Sequence, residues 1–152
     1  MKRLIAGIAF IGIILCGCAG GESTPEAGEI NSEIRVTVDD YLCGGKLFYS
    51  GGIFKFSLEL SGNELVLCEQ DGKATVSYLG LERELESSDA VKIISALKTI
   101  LTSLNKAERN TDGDFVLSGT ADELVYKAVW DENGNPIGIE IPTLDMKITF
   151  IN

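Results

Sequence analysis

"FKFSLELSGNELVLCEQDGKATVSYL" spans residues 54–79, and its dominant period is two. Phe54, Phe56, Leu58 and Leu60 alternate with Lys55, Ser57 and Glu59. Alternation of this kind puts one face on a core and the other toward water, as in antiparallel sheets. Gly62-Asn63 and Asp71-Gly72 interrupt the pattern. Gly, Asn and Asp tolerate the positive φ that tight hairpins require. The stretch therefore predicts three strands, roughly 53–60, 64–70 and 74–81, paired as a meander. Gly80, inside the third run, reads as a bulge or bend.

The same period recurs on both sides. Ile34, Val36 and Val38 alternate with Arg35, Thr37 and Asp39. Ile137, Ile139 and Ile141 flank Gly138 and Glu140, and Met146, Ile148 and Phe150 flank Lys147 and Thr149. Ser50-Gly51-Gly52 and Asn133-Gly134 supply further turns. Strands are expected at roughly 33–43, 46–50, 115–118, 124–131, 136–141 and 145–151 as well.

One segment breaks the period. Ser87-Ser88-Asp89 offers cap-type residues, and Ile93, Ile94, Leu97, Ile100, Leu101 and Leu104 then recur at helical spacing. Lys92, Ser95, Lys98, Thr102 and Ser103 take the other side. This predicts one amphipathic helix of about 16 residues, near 25 Å long, lying on the sheet. It lacks the basic belt and aromatic residues of a membrane-surface helix.

The opening of the chain is different in kind. Lys2 and Arg3 precede twelve apolar or small residues, Leu4–Leu15. A membrane-spanning helix needs about 20, so this is an export leader rather than a span. Its end, Leu15-Cys16-Gly17-Cys18, resembles the lipobox of bacterial lipoproteins. The resemblance implies cleavage before Cys18 and attachment of diacylglycerol to its thiol. Two or three acyl chains hold a protein stably to a bilayer. Residues 1–17 are then the leader. Residues 18–32 are the anchor and a Gly-, Ser-, Pro- and Glu-rich tether of roughly 45 Å reach. Residues 33–152 form one domain.

Cleavage leaves all 23 acidic residues and 11 of the 13 basic ones, a net charge of −12. Such a surface repels phosphate backbones, so nucleic acid is not an expected partner. The chain has no histidine, which removes the usual general base and the commonest metal ligand. Carboxylates are spread through turns and polar strand faces. No catalytic residue, metal site or cofactor is expected. Asp131, Asn133 and Asn135 have the spacing of the start of a calcium loop, but Gly134 falls at the fourth position and Pro142 at the twelfth. A hairpin turn accounts for them. Cys43 and Cys68 either form a disulfide, worth on the order of 3 kcal/mol for a loop of this length, or remain two buried thiols.

The order of elements, about five strands, one helix and about four strands, carries a second resemblance. "FVLSGTADELVYKAVWDENGNPIGIEIPTLDMKITFIN" (residues 115–152) and "ATVSYLGLEREL" (74–85) resemble small lipoproteins related to the carrier superfamily typified by LolA and LppX, with MucB and RseB as relatives. The resemblance covers residues 33–152 in pattern more than in identity. It implies a mainly β (α+β) fold: a curved antiparallel half-barrel of about 8–9 strands covering one amphipathic helix. It also implies binding of a lipid, an acyl chain or a lipidated protein in the concavity. The candidate lining is Phe54, Phe56, Tyr78, Tyr126 and Trp130 from strands, with Ile93, Leu97 and Leu101 from the helix. This chain has one helix where the carriers use several. The expectation is therefore a non-catalytic module, anchored at the extracytoplasmic face of the cell membrane, that binds an apolar ligand. The alternative is an interaction or envelope-sensor domain whose own helix fills the concave face.

Overall fold

The computed structural model describes residues 28–86 and 88–151. The leader, Cys18 and most of the tether lie outside the described residues. Alternating sequence becomes strand throughout. β1 (Ile30–Val38), β2 (Tyr41–Ser50), β3 (Ile53–Leu60), β4 (Asn63–Gln70), β5 (Lys73–Tyr78) and β6 (Leu81–Leu85) form one antiparallel meander. Helix α1 (Asp89–Leu101) follows. β7 (Glu108–Arg109), β8 (Phe115–Ala121), β9 (Leu124–Trp130), β10 (Pro136–Ile141) and β11 (Met146–Ile151) form a second meander. β11 then pairs with β1, from Glu33 opposite Ile151 to Val38 opposite Met146. The result is mainly β: one large open antiparallel sheet in the order β6-β5-β4-β3-β2-β1-β11-β10-β9-β8-β7, with a single α-helix among the described residues.

Eleven strands exceed the expected eight or nine. The run expected at 33–43 is two strands, folded at Asp39, which has φ 50°. Gly80 is not a bulge. Leu79 (φ 53°) and Gly80 (φ 77°) are both left-handed, which makes them a two-residue hairpin of the primed type. The chain therefore reverses at Tyr78, and Leu81–Leu85 becomes a further strand. β7 has two residues, too short for any periodicity to mark. β1 also begins at Ile30, taking three residues of the expected tether.

Directly paired residues on neighbouring strands share a face. Ile34, Leu47, Phe56, Leu67, Ile148, Ile139, Ala128 and Leu117 thus lie on one side, and seven of these eight are buried. α1 packs on this side, meeting β3 and β4 in the first meander and β8 and β9 in the second. Ser88 caps it: its Oγ accepts from the Val91 N–H at 3.4 Å. The helix is 13 residues and stops at Leu101, and a 3-10 turn at Leu104–Lys106 continues toward β7. Leu104, expected on the helix stripe, is buried from that turn. The opposite, outer face carries mostly polar residues such as Arg35, Lys46, Lys55, Thr75, Lys127 and Thr149.

Candidate functional site

The candidate apolar site lies between α1 and the sheet. Ile94, Ala96, Leu97, Ile100 and Leu101 are at most 1% exposed. At i, i+2, i+3, i+6 and i+7 they make the wide stripe of a helix pressed onto a broad apolar surface. Phe54, Phe56 and Trp130 on the sheet are at most 2% exposed, and all eight of these side chains belong to one continuous core. The expected lining residues therefore separate into three groups. Phe54, Phe56, Leu97, Leu101 and Trp130 are packed into the core. Tyr126 is also buried, and its ring lies over Gly119 of β8, where an added Cβ would stand 3.0 Å from the hydroxyl oxygen. Burial pushes the Tyr126 hydroxyl pKa up. Ile93 is half-buried and packs against the core, whereas Tyr78 is exposed (36%) and is not part of it.

None of these eight residues lines any of the five principal clefts of the described surface. The largest, about 680 Å³, lies over the outer face of β3–β6 and touches Lys55, Cys68, Lys73 and Glu82. A second, about 520 Å³, sits over Gly44 and Gly45, where β2 carries no side chains. Gly45 has a structural reason: a Cβ there would overlap the backbone carbonyl of Ser57 on β3.

Two ion pairs tie the polar side of α1 to the two meanders. Lys98 donates to Glu69 of β4, with the glutamate 15% exposed. Lys92 donates to Glu123 of the β8–β9 turn at 2.9 Å. The second pair raises the Lys92 pKa and lowers that of Glu123, chiefly through their hydrogen bond. Sequence reading assigned both lysines to the solvent side of the helix. Nothing in the sequence places Glu69, 29 residues away, beneath Lys98.

Cys43 and Cys68 are separate thiols. Cys43 pairs with Val36, on the face that α1 covers, while Cys68 pairs with Lys55 and Thr75 on the outer face. By register they also lie about five residues apart along the strands, near 16 Å, beyond the roughly 7 Å that a disulfide spans between Cα atoms. The expected alternative of a disulfide is corrected accordingly.

Asp131 is occupied by its own turn. Its Oδ1 accepts from the backbone N–H groups of Asn133 (2.9 Å) and Asn135 (2.8 Å), and Oδ2 accepts from the Asn135 side chain (2.9 Å). Partial desolvation acts to raise its pKa, but these hydrogen bonds outweigh it and hold the carboxyl below its ordinary value. Among the described residues no group of three or more acidic or cysteine side chains is placed to hold a metal ion. No helix among them is long and apolar enough to cross a membrane.

Sequence reading missed the exposed apolar residues at one end of the first meander. Tyr41 and Leu42 (76% and 64% exposed) follow the β1–β2 turn, and Leu79 and Leu81 (64% and 77%) flank Gly80 of the β5–β6 turn. The available signal was Leu79-Gly80 itself, a residue-glycine pair like Asp71-Gly72. No known protein family and no curated protein matches the chain.

Proposed function

We propose that this chain is a lipid-anchored extracytoplasmic interaction domain, without catalytic activity, whose own helix fills the concave face of a half-barrel. Curvature is supported by length. A flat run of the eight strands from β4 to β8 in sheet order would span about 34 Å. A 13-residue helix is about 20 Å long, yet α1 meets strands at both ends of that run. A sheet curled around the helix satisfies both lengths. The lipobox-like Leu15–Cys18 supports the anchor, and the acidic mature charge supports a body that stands off an anionic membrane.

The observation that carries the choice is burial. An acyl chain needs a cavity of several hundred Å³. The helix stripe and the rings opposite it are instead packed against one another, and the clefts lie elsewhere. A carrier would have to lift α1 and expose its whole stripe. Native mass spectrometry of a chain starting at residue 19 tests this. The expected result is the mass of the bare polypeptide. Lipid retained at fixed stoichiometry would overturn the reading and restore the carrier. For the anchor, the N-terminal peptide of the exported protein should begin at Cys18 and carry acyl mass; an unmodified peptide beginning elsewhere contradicts it.

A further inference from the structure

The two edges of the open sheet are unequal. β7 has two residues and offers almost no edge, whereas β6 has five and, among the described residues, pairs with β5 alone. A free strand edge presents unpaired backbone N–H and C=O groups to any extended chain. The side chains of β6 alternate in chemistry. Leu81, Arg83 and Leu85 share the helix-side face with Tyr78, Val76 and Ala74. Glu82 and Glu84 lie on the outer face, opposite Ser77 and Thr75. No ion pair to Glu82, Arg83 or Glu84 forms among the described residues. Charges alone would simply blunt an edge. They do not account for Leu79 and Leu81, 64% and 77% exposed at its start.

A second copy is the wrong occupant. A two-fold axis through the edge pairs β6 with itself antiparallel. Centred on Arg83, it sets Arg83 against Arg83 and Glu82 against Glu84. Centred on Glu82 or Glu84, it sets glutamate against glutamate. Like charges directly opposite one another disfavour all these registers. We propose that the β6 edge takes up an extended segment of a partner protein. Basic side chains at alternate positions of that segment meet Glu82 and Glu84, and apolar side chains between them cover Leu81. The proposal rests on the interaction-domain reading and names the surface and the chemistry of its partner.

The test uses the full chain and three synthetic ten-residue peptides: alternating valine and lysine, alternating valine and glutamate, and the first composition with its lysines in one block. Hydrogen exchange read by mass spectrometry should show the valine–lysine peptide protecting β6 amides, with weaker binding at high salt. Glu82→Lys/Glu84→Lys should weaken it by roughly tenfold or more, and Glu82→Gln/Glu84→Gln less. Both variants change exposed side chains, and unaltered protection of β3 and β9 would confirm that they fold. The proposal fails if the valine–lysine peptide protects nothing or protects a region other than β6. It also fails if the glutamate or block peptide protects β6 equally, if the charge-reversed variant binds as well, or if β6 is protected in a dimer without peptide. Lipid found in the core would instead defeat the interaction-domain reading, whatever the peptides do.

Discussion

The two meanders share one sheet but make their turns by different physics. In the first, β2–β3, β3–β4, β4–β5 and β5–β6 each turn through two residues with positive φ, and the second is always glycine: Gly52, Gly62, Gly72 and Gly80. The backbone alone sets those reversals. In the second meander the β7–β8 and β9–β10 connections are longer and are held by side chains. Asn110 Oδ1 accepts from the N–H groups of Asp112 and Asp114, as Asp131 does for Asn133 and Asn135. Four of the five turns of the first meander are therefore uniform hairpins, and it ends in a five-residue edge strand, while two of the four connections of the second are cross-braced and it ends in a two-residue one. Glycine turns tolerate changes in side-chain chemistry, and braced loops do not.

Where the meanders meet α1 this difference should vanish. Phe54→Ala in the first and Trp130→Ala in the second each remove a buried ring from one core. Each should cost about 3–5 kcal/mol. Denaturant unfolding, followed by tryptophan fluorescence in Phe54→Ala and by circular dichroism in both, should show a single transition in every case. Two separated transitions would mean that the halves are independent units.

The braced loop should show the next largest effect. Asp131→Ala removes three acceptor contacts, at roughly 1–3 kcal/mol. Because the folded Asp131 pKa lies below its ordinary value, its contribution is complete above about pH 4 and is lost as pH falls through the folded pKa. The stability gap between wild type and Asp131→Ala should therefore narrow on acidification. A gap that stays constant with pH would remove the carboxylate from the explanation.

These cases mark how far the sequence could be read. Alternation at Phe54–Leu60 and helical spacing from Ile93 to Leu101 were legible because both signals are local and repeat several times. Asp39 and Leu79 were not, because no glycine stands beside Asp39 to mark the turn, and leucine disfavours positive φ while apolar character continues on both sides of Leu79. The separation of Cys43 from Cys68 depends on register, where one step changes the face. The candidate lining was legible as apolar and inward-facing, but whether it encloses space depends on packing volumes that no periodicity encodes. Pairing of β1 with β11, across more than 100 residues, leaves no local trace.

Leu79 offers a smaller test of the glycine-turn half. A leucine with φ 53° is strained, whereas asparagine tolerates that region. Leu79→Asn should stabilise the chain by about 0.5–1 kcal/mol, read as a higher denaturant midpoint; a lower midpoint would show that Leu79 packs usefully where it is. Smallest of all is Lys92→Ala, which removes an exposed pair whose contribution solvent screens. Its thermal midpoint should match that of the wild type, and a clear drop would make the Glu123 contact a true clamp on α1.

The central claim is that α1 seals the apolar face of the sheet as part of its core. Native-state hydrogen exchange measures this most directly, by comparing amides of Ile94–Leu101 with those of β3 and β9. The claim predicts that helix and strands exchange through the same global opening, with equal free energies and equal dependence on denaturant. A helix that opens several kcal/mol below the strands, while the sheet stays closed, would be a lid over a binding site and would contradict the account.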